Sequence, residues 1–183
     1  MITHNEAIHS HQVMSTRSVT LAIILSVVIF AVAITFPIPK SVGMEFRYGI
    51  SLVVITGTLL LSISFFLSGW IAIFLGLSCT FIIFSLPLTA LWNTGVSEPT
   101  LIGGLLPWGD ARQYLNGATH LLSNSTLSHA STNRPLFPSF LAVLLAVTQH
   151  NLKICLAIIV CINAICCYSL GAEVRRNYGI VAA

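Results

Sequence analysis

The chain has 183 residues, of which 56% are hydrophobic and only 7% charged, with a mean hydropathy of +0.92. Soluble domains carry about 25% charged residues, so composition excludes a water-soluble globule and predicts an all-α, polytopic membrane helix bundle. Eight Lys and Arg against five acids leave a net charge of +3, but the basic residues are scattered and form no tract of the kind that grips nucleic acid.

In chain order, residues 1–18 read as a polar tail, whose His4, His9 and His11 have no carboxylate or thiol cluster beside them and so read as solvated. Residues 19–36 are an uncharged run, long enough at about 1.5 Å per residue to cross most of a bilayer core roughly 30 Å thick. The long tail before it, and "FPIPK" where a cleavage site would fall, point to an anchor that stays in place, not a signal peptide. Between Arg47 and Glu98 no position is charged. That interval is too long for one spanning helix and suits two, at 48–67 and 71–92. "LSGW" at 67–70 supplies the turn, with Gly69 as a left-handed cap and Trp70 as an interface residue. Pro87, flanked by Ser85 and Thr89, predicts a kink in the third helix.

Residues 93–134 form a hydrophilic loop. Two further apolar runs in 135–174, "PLFPSFLAVLLAVTQH" and "KICLAIIVCINAICCYSLGAEVRR", predict a fourth and a fifth span, the first of them opening on prolines that a first helical turn tolerates. Residues 175–183 end in "IVAA", which reads as the start of a further segment in a longer protein. The five cysteines, Cys79, Cys155, Cys161, Cys166 and Cys167, all sit in apolar runs. They lack the spacing and polar setting of a zinc or redox site and read as small buried residues, with no metal or cofactor implied.

The loop contains "LLPWGDARQYLNGATHLL" and in it Asp110, the only Asp of the chain. As a helix over about 110–122, this stretch places Tyr114, Leu115, Ala118, Leu121 and Leu122 on one face and Arg112, Gln113, Asn116, Thr119 and His120 largely elsewhere. Such an amphipathic helix lies on a membrane surface or docks on the bundle, with Trp108 ahead of it as an interface anchor. Asp110 followed three residues later by Gln is close to a capping box, a role that contributes about 1 kcal/mol. The alternative is a catalytic carboxylate.

The order of these pieces, a spanning helix, "GDARQYLNGATHLL", a Ser/Asn/Thr-rich stretch and "RPLFP" leading into the next span, resembles the first large loop of the GT-C superfamily of integral-membrane glycosyltransferases. The closest comparison is with those using a polyprenyl-phosphate-sugar donor, such as protein mannosyltransferases and lipid A aminoarabinose transferases. The resemblance covers roughly residues 92–179, including "GAEVRRNYG". It matches Asp110 to the loop acid, Tyr114 and Ala118 to the helix face, and Arg134, Pro135 and Pro138 to the element before the next span. It implies a cell-envelope transferase in the plasma or inner membrane, moving a sugar from the lipid carrier to a glycan, lipid or protein. Asp110 would be the base, and Arg112, Tyr114 and Arg134 would bind the substrate. A carboxylate near the attacking atom and a guanidinium near the departing phosphate are what that transfer needs.

Two features depart from the pattern: three predicted helices precede the loop where one is usual, and no second acid adjoins Asp110, which disfavours metal-dependent variants. His120 and His129 have no evident partner for proton transfer, and "NST" at Asn124 is a glycosylation sequon only in a secretory-pathway host. The resemblance implies an extracytoplasmic loop. The five-span charge count places it in the cytoplasm, with Lys40, Arg47, Arg112, Arg134, Arg175 and Arg176 on the loop side against Arg17 and Lys153. The competing class is a non-catalytic multi-span protein, a transporter or an assembly subunit. A transporter would be expected to bury ionisable groups within spans, and the five runs carry charged residues and His only at their ends.

Overall fold

The computed structural model describes residues 16–97, 101–123, 125–126 and 132–179. Their elements are α1 (Thr16–Thr35), α2 (Lys40–Tyr48), α3 (Ile50–Phe66), α4 (Gly69–Thr94), β1 (Leu101–Ile102), β2 (Leu106–Pro107), α5 (Asp110–Leu122), α6 (Leu136–Val147) and α7 (Leu152–Tyr178). Three helices, α1, α4 and α7, are long and apolar enough to cross a membrane. The chain is therefore a largely helical membrane protein, as its composition predicts.

Helix α4 is the centre, and its neighbours are aligned by small and hydroxylated residues. Its partner α1 runs parallel to it: Phe30 meets Phe81 with ring centroids 5.0 Å apart. One turn earlier the Ser26 hydroxyl donates to the Ala22 carbonyl at 2.9 Å, lies 3.3 Å from the Phe74 carbonyl and accepts from Ser78 at 3.1 Å. Ala22, Ser26 and Phe30 form the buried face of α1, while Leu21, Ile24, Val28 and Val32 point outward. Polar and small groups inside, with aliphatic groups outside, are the pattern of helices packed in lipid, where burial of apolar surface no longer drives association.

Helices α3 and α7 run antiparallel to α4. Gly57 of α3 faces Ile83, and Ser64 reaches Gly76, where a side chain would collide with Tyr168 of α7. Ala164 of α7 packs with Leu77 and Phe81. At one end of the bundle the Arg175 guanidinium donates to the Leu67 carbonyl at 3.2 Å, binding the end of α7 to the α3–α4 turn. That turn matches the "LSGW" expectation, with Gly69 at φ +75°. At the opposite end Lys153, in the first turn of α7, sits over the Trp92 ring at 5.7 Å, and α2 packs along the last turns of α4 through Gly43 against Ala90 and Thr94. The helix assignment of α4 continues through Pro87, and hydroxyls beside it bond carbonyls one turn back, Ser85 to Ile82 and Thr89 to Ser85.

The segment read as a fourth span is different. Helix α6 has 12 residues, about 18 Å of helix, well short of a bilayer core. Its start is bound to α5, which follows a hairpin seated on the C-terminal end of α4. Its end turns through Gln149 and His150, both at positive φ, directly into α7, and Thr148 contacts Cys155 at 2.9 Å. The end of α6 therefore lies at the Trp92 end of the bundle, and three helices, not five, have the length and composition of a spanning helix among the described residues. The sequence also left unread the amphipathic α2 and the hairpin.

Cysteine burial is partly corrected as well: Cys155 is buried, Cys79 and Cys161 are half-buried, and Cys166 and Cys167 are exposed on an outer face of α7. His4, His9, His11, Glu98, Asn124, His129 and the terminal "IVAA" lie outside the described residues.

Candidate functional site

The site is built from the loop upward. Strands β1 and β2 pair antiparallel, Leu101 opposite Pro107 and Ile102 opposite Leu106. The turn between them holds Gly104 at φ +73°, pressed so closely on the last turns of α4 that a Cβ there would collide with the Leu91 carbonyl. This close approach seats the hairpin on the end of α4, ahead of α5. Gly109, at φ 61° and ψ −133°, precedes the helix as its cap residue.

Asp110 is thus the first residue inside α5, and no side-chain capping hydrogen bond is made there. The capping-box expectation is corrected: the carboxylate is exposed and favours the helix only through the dipole.

Along α5 the predicted face is the buried one. Gly117 and Ala118 are buried, and Leu115, Leu121 and Leu122 pack with Ala118 against Leu141, Ala142 and Leu145 of α6 and Cys155 of α7. Arg112, Gln113, Asn116, Thr119 and His120 face outward. Tyr114 lies at the edge of the buried face, four residues after Asp110. Its ring meets the edge of Phe137 with centroids 5.4 Å apart and planes at 84°. Arg134, just before α6, donates from Nη1 to the Tyr114 hydroxyl at 3.1 Å. Pro135 and Pro138 cost α6 no hydrogen bonds, since they occupy its cap and opening turn. They hold the chain so that Arg134 and Phe137 flank the tyrosine.

The hydrogen bond to Tyr114, with the charges of Tyr114 and Asp110 adding to it, holds the Arg134 guanidinium above its ordinary pKa. Arg134 remains a cation at any working pH. The structure therefore brings Tyr114 and Arg134 into contact, with the exposed Asp110 one helical turn before Tyr114 on α5. It does not bring Arg112 to them: that guanidinium stacks over the Trp108 ring at 5.1 Å.

Sequence reasoning missed Phe137, the ring that orients Tyr114, because "PLFPSF" gives its aromatics no pattern that separates a site neighbour from a lipid-facing residue. It also missed the hairpin, although Gly103 and Gly104 between apolar residues are a hairpin signal.

Chemically, the cluster offers a carboxylate able to take a proton, a phenol able to donate or accept, and a permanent cation with a planar fork of donors suited to phosphate. Among the described residues no group of three His, Cys, Asp or Glu is placed to hold a metal ion. No protein-family model, no curated protein and no solved structure matches the chain.

Proposed function

We propose that the protein is a multi-pass membrane glycosyltransferase of GT-C type, or the N-terminal part of one, which transfers a sugar from a polyprenyl-phosphate carrier to a glycan, lipid or protein. The observation that carries the reading is the hydrogen bond between Arg134 and Tyr114, one turn along α5 from Asp110, at one end of an apolar bundle. There a lipid-linked donor presents its phosphate and sugar. Asp110 is the base for the attacking hydroxyl or amine, and Arg134, oriented by Tyr114, meets the phosphate that departs. Arg112, held on Trp108, contacts the donor at the rim.

The bundle geometry also supports a four-crossing topology through α1, α3, α4 and α7, with α6 as a short helix dipping from the loop side. With α6 not crossing, Lys153 moves to the loop side and Arg175 and Arg176 join Arg17, so the charge count for a cytoplasmic loop falls from six against two to five against three. The extracytoplasmic loop that lipid-linked donors require meets less opposition from that count.

The deciding experiment is Asp110→Asn in the membrane-inserted protein supplied with polyprenyl-phosphate sugars. Because Asp110 does not cap α5, Asn leaves the helix in place but cannot take the proton. Transfer is expected to fall about a hundredfold or more. Transfer at the parental rate by a correctly inserted Asp110→Asn protein ends the assignment.

A further inference from the structure

A second site lies at the same end of the bundle, between the ends of α1 and α4 and the start of α7. Here a cleft of about 420 Å³ opens among Thr35, Phe36, Trp92, Asn93, Lys153 and Ile154. This volume falls within the range of small-ligand pockets, about 300 to 1,000 Å³. Among the described residues its one charged lining residue is Lys153, exposed and over the Trp92 ring, and none of them lines the cleft with a carboxylate. The Trp92 ring beneath Lys153 forms an aromatic wall of the cleft.

We propose that this cleft binds the headgroup of an anionic phospholipid, with the phosphate against Lys153 and the glycerol oxygens accepting from the side-chain amides of Asn93 and Asn151. The occupant is a lipid and not a free anion because of what lies beside the exposed polar groups of the cleft. Phe36 and Ile154 are 64% and 48% exposed at the mouth, and the outer faces of α1 and α7 beyond them are aliphatic. An acyl chain leaving the cleft would lie along surface already suited to hydrocarbon. A soluble phosphate would leave that surface unused. The inference is independent of the transferase reading, since it uses none of Asp110, Tyr114 or Arg134.

The test is retention of phosphatidylglycerol by the whole protein, purified from vesicles of phosphatidylcholine and phosphatidylglycerol and followed by native mass spectrometry. The parental protein is expected to keep phosphatidylglycerol in preference to phosphatidylcholine. Lys153→Gln is expected to weaken that preference about fivefold, the scale of one basic residue near an anionic lipid surface, and Lys153→Arg to restore it. Ala157→Phe, which fills the cleft and leaves the charge, is expected to release the lipid, while Arg17→Gln at the far end changes nothing. Equal retention in Lys153→Gln and the parent overturns the proposal. So does displacement of the lipid by inorganic phosphate as readily as by lysophosphatidylglycerol, which would make the cleft a soluble-anion site.

Discussion

Asp110 and Arg134 divide the labour of the proposed site, and single substitutions separate their roles. Since Gly109 and not Asp110 caps α5, Asp110→Ala removes only a favourable dipole contact, worth about 0.3 to 1 kcal/mol, and hydrogen exchange over 110–122 should stay near that of the parent. Marked fraying of the helix in Asp110→Ala would restore the capping role. Tyr114→Phe keeps the ring against Phe137 but deletes the acceptor for Arg134. Donor binding should weaken while insertion is unchanged, and Arg134→Lys, which keeps charge but loses the fork, should behave alike. If both variants match the parent in donor KM, the pair is a surface contact without a part in recognition.

The helices associate through small residues, and the consequences of enlarging them differ between interfaces. Ser26 is fully buried between α1 and α4. Ser26→Ala should cost about 0.6 kcal/mol, the usual worth of a hydrogen bond between membrane helices. Ser26→Leu should cost about 1 to 3 kcal/mol by overpacking and loosen α1, which unfolding in mixed micelles would read. At the other interface Ala118 is fully buried between α5 and α6. Ala118→Leu should lift α5 from α6 and part Tyr114 from Phe137, so it should depress donor binding as Tyr114→Phe does without touching any polar group of the site. Normal donor binding in an Ala118→Leu protein would show that docking of α5 does not position the cluster.

For the whole molecule, the placement of α6 makes a topological prediction that the five-span reading contradicts. With native cysteines removed, Ser125→Cys and His150→Cys should label from the same side of the membrane, and Thr16→Cys and Asn177→Cys from the opposite one. A helix α6 that crosses would put His150 and Ser125 on opposite sides. The side from which Ser125→Cys is labelled in intact cells also tests the transferase reading, which needs it outside.

Much of this architecture is legible in one dimension. Uncharged runs mark α1, α3, α4 and α7 because a bilayer core tolerates few charges, and the 3.6-residue period of "DARQYLNGATHLL" marks both the helix and its buried face. Those signals are local. How "PLFPSFLAVLLAVTQH" packs is not a local property: its apolar content suits lipid or a docked helix equally, and its contacts depend on Ala118 and Cys155 offering it a surface and on the turn at Gln149 and His150. The cap position of α5 likewise escaped the sequence, since one residue's shift in where the helix begins moves Asp110 from the cap into the first turn. Tertiary structure alone set Arg134, twenty residues from Tyr114 along the chain, within hydrogen-bonding reach of it, because contacts between elements depend on how they pack and leave no period or spacing to read.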